Sequence, residues 1–196
     1  MCGIIGFTGN EPAKDIIIGG LERLEYRGYD SAGLALLSND QIQVRKRTGK
    51  VEELRKLCAA EKMPATCGIG HTRWATHGGV TDVNAHPHRV GKVVLIHNGI
   101  IENYRQIVTE YGLADQLVSE TDSEVVAALM NKFYEGDPVK AIKKTVKVLS
   151  GAFALCIMFQ DIPDTIYAIR NVSPMVATSC ERGSVIASDL TALIEF

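Results

Sequence analysis

Cys2 stands one residue in from a methionine, and loss of Met1 would place its thiol beside a free α-amine. Together they are a nucleophile and its own base. An unperturbed α-amino group titrates at about 7.7 to 8.0 and a thiol at about 8.5, so a neutral amine can take the thiol proton near neutral pH. Such pairs activate hydroxyls and thiols for attack on carbonyls without a histidine. Gly3-Ile4-Ile5-Gly6 then reads as a short apolar strand, with glycines where backbone or ligand comes close. Taken alone, Met1-Cys2-Gly3 is weak evidence and fits a small buried cysteine opening an edge strand better.

Other segments supply what such a nucleophile needs. His71-Thr72-Arg73-Trp74-Ala75-Thr76-His77-Gly78-Gly79 gathers a guanidinium, hydroxyls, imidazoles and the chain's one tryptophan into an aperiodic stretch. Arg73 can hold a carboxylate bidentately, Thr76 and His77 can add donors, and Trp74 can cover the site. In His97-Asn98-Gly99-Ile100-Ile101-Glu102-Asn103, Asn-Gly is first a turn signal. Beyond that, the Asn98 amide and the Gly99 N–H can converge as an oxyanion hole, where one donor is worth on the order of 3 kcal/mol. Asp122, in Ser119-Glu120-Thr121-Asp122-Ser123-Glu124, reads as a helix cap and is also suited to a substrate ammonium. Glu25-Tyr26-Arg27-Gly28-Tyr29-Asp30-Ser31-Ala32-Gly33 is a turn dense in polar and aromatic groups. All 5 histidines fall between His71 and His97. Their spacing lacks the paired ligands of one helix turn or knuckle, so His71, His77, His86 and His88 are not expected to bind metal. His86-Pro87-His88 is instead expected to shape its loop.

The elements that must position these groups follow from period and punctuation. A helix is expected after Pro12, with Ile17, Leu21 and Leu24 on one face, ending by Gly28. Residues 31–38 and 42–47 read as a strand pair turning at Asn39-Asp40. Residues 50–60 read as a helix, and 66–71 and 92–97 as strands flanking a long loop, 72–91. Helices are expected at 103–111, 122–134 and 138–149, the last with a solvated lysine face. Short strands follow at 152–160, 165–170, 175–178 and 184–187. Strands, then helices, then strands suggest sheets covered by helices rather than a βαβ alternation.

With 196 residues the chain suits one domain, 1–196. Its 21 Lys and Arg nearly balance 23 Asp and Glu, which offers no footprint for nucleic acid or anionic membrane. Apolar runs such as 151–159 are too short to span a bilayer, and no basic region precedes a hydrophobic run at the N-terminus. A cytoplasmic location is the expectation. The 5 cysteines, at 2, 58, 67, 156 and 180, form no CxxC pair, so neither a disulfide framework nor a zinc ribbon is expected.

In the order Cys2-Gly3-Ile4-Ile5-Gly6, Tyr26-Arg27-Gly28-Tyr29-Asp30-Ser31, the 71–78 run, Asn84-Ala85-His86-Pro87-His88, the 97–103 run, Glu120-Thr121-Asp122-Ser123-Glu124 and Ile186-Ala187-Ser188-Asp189, the chain resembles one family. It is similar to the class II glutaminase domains of glutamine:fructose-6-phosphate aminotransferases. The resemblance implies an α+β N-terminal-nucleophile hydrolase fold, an αββα sandwich of two antiparallel sheets between helical layers. It implies that Cys2 attacks the glutamine amide while Asn98 and Gly99 hold the oxyanion. Arg73, Thr76 and His77 would then bind the substrate carboxylate, Asp122 and the Gly99 carbonyl its ammonium, and Trp74 would close the loop. Arg27, Tyr29, Asp30 and His86 would support the site, and no cofactor is implied. Ammonia would pass to fructose 6-phosphate on an isomerase domain or partner chain, with homo-oligomerisation possible. That isomerase half is absent from 1–196, and the resemblance places Phe196 somewhat before the usual end of the glutaminase domain, so truncation near its C-terminus is also expected. A glutamine-binding module without turnover and an amidophosphoribosyltransferase-like glutaminase are the alternatives.

Overall fold

The computed structural model describes residues 2–75, 78–194 and 196. The strands are β1 (Gly3–Gly9), β2 (Ser31–Ser38), β3 (Gln41–Thr48), β4 (Cys67–Arg73), β5 (His88–Val90), β6 (Val93–Ile101), β7 (Gly151–Phe159), β8 (Tyr167–Asn171), β9 (Val176–Cys180) and β10 (Gly183–Ala187). The helices are α1 (Ala13–Leu24), α2 (Val51–Cys58), α3 (Tyr104–Tyr111), α4 (Asp122–Phe133) and α5 (Pro138–Val148). One sheet has six strands in the order β3-β2-β4-β1-β10-β9, and the other has four, β5-β6-β7-β8. Every pairing is antiparallel.

Side-chain alternation along the strands builds the layers. In β1, Ile5 and Phe7 pack with Ile17, Leu21 and Leu24 of α1 and Leu54 of α2, whereas Ile4 points to the opposite face. In β7, Phe153, Leu155 and Ile157 pack with Val126, Leu129 and Met130 of α4 and Ala141 of α5. The intervening Ala154, Cys156 and Met158 meet Ile4, Ala35, Cys67 and Ile69 of the first sheet. Three apolar cores therefore separate four layers, helix, sheet, sheet and helix, as the αββα expectation requires. Strands buried on both faces lose the polar-out alternation and read as continuous apolar runs, as 151–159 does.

Local chemistry explains some of the boundaries. Asn39 and Asp40 both adopt the left-handed region, at φ 49° and 56°, which matches the twist a two-residue hairpin needs between β2 and β3. Asp137 caps α5 by accepting from Lys140 N at 3.0 Å, and Pro138 opens that helix. Three differences from the sequence expectation stand out. β4 runs on to Arg73 and β5 interrupts the expected loop, because residues 88–90 pair with the start of β6. Asn98-Gly99 is not a turn: both residues continue β6 in register with Ala154 and Phe153. The cap of α4 is Thr121, whose hydroxyl accepts from Glu124 N at 3.3 Å, and not Asp122. The cysteines differ among themselves: Cys180 is exposed, whereas burial raises the thiols of Cys67 and Cys156 to about 11 and about 12. No helix among the described residues is long and apolar enough to cross a membrane.

Candidate active site

The same alternation aims the polar ends of three strands at one place. Counting by twos from Ile4 leads back to Cys2. From Cys67 and Ile69 it leads to His71 and Arg73, and from Val94 and Ile96 to Asn98. All of these belong to the faces that the two sheets turn toward each other, and there the apolar packing gives way to a cavity of about 260 Å³. Cys2, Arg27, Arg73, Trp74, His86, Asn98, Gly99 and Asp122 line it. So do His97, Ile100, Thr121, Ser123, Ser173 and Pro174.

Cys2 is fixed through its backbone as well as its sulfur. Its carbonyl accepts from Arg27 Nε at 3.1 Å and from Asn98 Nδ2 at 3.0 Å. Arg27 in turn pairs with Asp189 at 3.0 Å, and that carboxyl is held below the usual range first by the Thr191 N–H. The Cys2 sulfur lies against the Trp74 peptide, 3.2 Å from its nitrogen and 3.5 Å from its oxygen. Burial raises the thiol above its ordinary value, while the Trp74 N–H acts in the opposite direction. A thiol protonated at neutral pH needs a base in contact with it, and its own α-amine is such a base once Met1 is gone.

Asn98 bridges the two sheets. Its Nδ2 reaches Cys2 at the end of β1, and its Oδ1 lies 3.0 Å from His71 Nε2 on β4. Gly99 follows at φ 133°, and a Cβ there would run into the Ala152 carbonyl, so the strand passes this point only as glycine. On the far side, Asp122 Oδ2 accepts from Ile101 N at 2.8 Å and Oδ1 from Ser123 Oγ at 3.2 Å. Ser123 Oγ also meets His97 Nδ1 at 2.9 Å.

The rim is made by the segment after β4. Arg73, only 3% exposed, donates to Gly79 O at 3.0 Å. Gly79 N and Asn84 Nδ2 both donate to the Glu120 carboxylate, at 3.1 and 2.9 Å, and these bonds hold its pKa low. Asp30 accepts from Ala75 N, and Tyr29 packs edge-on against Trp74 with centroids 5.5 Å apart. Trp74 is 49% exposed, at the lip rather than over the floor. Tyr29 and Asp30 thus support the rim and do not line the cavity. Thr76 and His77 lie outside the described residues, as does Met1.

His71, His86 and His88 stack in sequence, with ring centroids 4.0 and 4.7 Å apart. Burial pulls His71 down to about 3 and His86 and His88 well below the ordinary value, so all three are neutral near pH 7. They are packed rings within the core, and among the described residues no group of three His, Cys, Asp or Glu is arranged to hold a metal. Ser173 and Pro174 were not singled out from the sequence. They follow Val172, an exposed β-branched residue at φ 71°, and only the return of β8 brings them to the cavity. Thr121 and Ser123 were hidden within a capping signature.

A family model described as "Glutamine amidotransferase domain" matches residues 80–195. Proteins named glutamine--fructose-6-phosphate aminotransferase [isomerizing] are similar along the whole chain. They include those of Caldanaerobacter subterraneus (44% identical), Aquifex aeolicus (45%) and Fusobacterium nucleatum (46%). The chain spans about a third of their length, 33%, 34% and 33% respectively. Among solved structures, glutamine phosphoribosylpyrophosphate amidotransferase from B. subtilis superposes with a TM-score of 0.83 at 26% identity, over 98% of this chain and 43% of that one. A structure described as the allosteric regulatory enzyme of purine biosynthesis gives 0.85 at 27%, with the same coverage of each chain.

Proposed function

The chain belongs to the glutamine amidotransferase domain family, and from that premise we propose that residues 1–196 form one glutaminase domain working through Cys2. The observation that carries this reading is the meeting of Cys2, Asn98 and Arg73 from three strands on one cavity. With Met1 removed, the α-amine takes the thiol proton and the sulfur attacks the side-chain carbonyl carbon of glutamine. Negative charge develops on the carbonyl oxygen, where the second Asn98 N–H and the Gly99 N–H are the donors. Collapse of the tetrahedral species breaks the C–N bond, and the α-ammonium returns its proton to the leaving nitrogen, which departs as ammonia. Water then attacks the γ-glutamyl thioester, and glutamate leaves with the thiol restored.

Recognition uses opposite charges side by side, because the two charged groups of glutamine share one carbon while its side-chain amide reaches Cys2. Arg73, with Thr76 and His77, takes the α-carboxylate; Asp122 and the Gly99 carbonyl take the α-ammonium. Arg27 and His86 hold the walls, Tyr29 and Asp30 support the rim segment, and Trp74 closes over the bound amide, limiting loss of ammonia to bulk water. The names of the relatives support an acceptor of the fructose 6-phosphate type, held on an isomerase domain or partner chain. The higher identity to those enzymes than to the phosphoribosylpyrophosphate enzyme favours that acceptor. The test is turnover of glutamine by material whose first residue is Cys2. One glutamate and one ammonia per glutamine are expected, at a rate that rises with pH as the amine loses its proton. Glutamine that stays intact at every pH would refute the proposal.

A further inference from the structure

Asn98 can serve the proposed site only if its amide is held one way round, and the amide carries no charge to choose for it. Two fixed groups bracket it. The Cys2 carbonyl, 3.0 Å from Nδ2, can only accept a hydrogen bond. On the other side Oδ1 lies 3.0 Å from His71 Nε2, and the same nitrogen lies 3.0 Å from the His97 carbonyl. That carbonyl is strand backbone and cannot turn. It therefore requires hydrogen on Nε2, whichever way Asn98 points. A neutral imidazole with hydrogen on Nε2 is bare at Nδ1, and His71 Nδ1 has no hydrogen-bond partner among the described residues.

We propose that His71 is a positioning residue for glutamine hydrolysis. Its Nε2–H, set by the His97 carbonyl, fixes the Asn98 amide so that Nδ2 faces Cys2 and the cavity. With the amide reversed, Oδ1 would oppose the Cys2 carbonyl and Nδ2 would oppose the His71 N–H, two like pairs at hydrogen-bond distance. The reversed amide would also present a lone pair where the oxyanion forms. The stack on His86 and complete burial keep the ring from rotating away. His71 does not line the cavity, so it acts through Asn98 alone.

This inference rests on the glutaminase reading, and its test separates the two. Ring nitrogen NMR of histidine-labelled protein at neutral pH should show His71 protonated at Nε2 and bare at Nδ1, and the Asn98 side-chain amide should give one protected pair of proton signals. His71→Leu should broaden or deprotect that pair. The opposite tautomer, or an Asn98 amide indifferent to His71→Leu, would overturn the positioning role whether or not the protein turns over. In kinetics, His71→Leu should lower kcat about tenfold, the scale of one lost hydrogen bond, with KM within about twofold. His71→Gln, which can place an N–H near the Nε2 position, should restore most of that loss. In an Asn98→Ala background His71→Leu should cost nothing further, because the group it orients is gone. An equal loss in both backgrounds would mean that His71 is merely structural. Parent protein that releases no glutamate would remove the glutaminase reading, leaving the NMR result to decide whether His71 orients the amide.

Discussion

The floor and the rim of the cavity are built on different principles. Asn98 on the floor and His71 behind it sit on facing sheets, 8% and 0% exposed, and their positions follow from strand register. The rim hangs on the connection from β4 to β5, whose described residues form no helix or strand and are held by Glu120, Asp30 and the Tyr29–Trp74 contact, with its aromatic groups largely exposed. A group that must meet a transition state within tenths of an ångström belongs on rigid strands. A group that must admit substrate and then shield it belongs on a segment that can move at small cost. The division predicts that floor substitutions act on kcat and rim substitutions on KM.

Cys2→Ala is the most severe test of the floor. Glutamate release should vanish while calorimetric binding of glutamine persists; retained turnover would remove Cys2 from its role. Asn98→Ala should lower kcat by about 10² to 10³, the usual cost of one oxyanion donor, with little change in KM. A main effect on KM would move Asn98 from the floor's work to the rim's. Arg73→Ala, at the end of β4 where the rim segment begins and is held through Gly79, should do the reverse. Loss of a charge-assisted bond costs about 1.5 to 3 kcal/mol, so KM should rise about 10- to 100-fold while kcat changes little. Steady-state kinetics of the two variants side by side would break the comparison if both moved the same parameter.

The smallest effect concerns the folded state alone. His71, with its pKa about 3, binds its proton more readily when unfolded, as do His86 and His88 with theirs depressed. The unfolded chain therefore holds more protons in the acid range, and stability rises with pH between about 3 and 6.5 and is lost as pH falls through that window. Chemical denaturation at pH 7 and pH 5 should show the loss, and His86→Leu should lessen it. A pH-independent midpoint would contradict the neutral stack.

What could be read from the sequence divides along the same line. Alternation located the strands but stopped them at residues 71 and 97, leaving Arg73 in a loop and Asn98 at a turn; β4 and β6 run on through both and bring them to the cavity with Cys2. Local turn chemistry found the Asn39-Asp40 hairpin and the Pro138 helix start. Where a dipeptide signal competed with long-range pairing, pairing won: Asn98-Gly99 stayed in β6 because β7 continues opposite it. Ser173 and Pro174 reach the cavity only through the order of strands in the second sheet, which no local pattern encodes. The tautomer of His71 was likewise out of reach, since it depends on a carbonyl contributed by the facing sheet.

The central claim is that Cys2 is the nucleophile and its own amine the base. Intact mass followed by peptide mapping, after brief exposure to a diazoketone analogue of glutamine, addresses both halves at once. The account predicts a chain lighter by Met1 carrying one adduct, located on Cys2 and suppressed by excess glutamine. A chain that lacks Met1 yet stays unmodified, or an adduct on Cys180 that glutamine does not suppress, would contradict it.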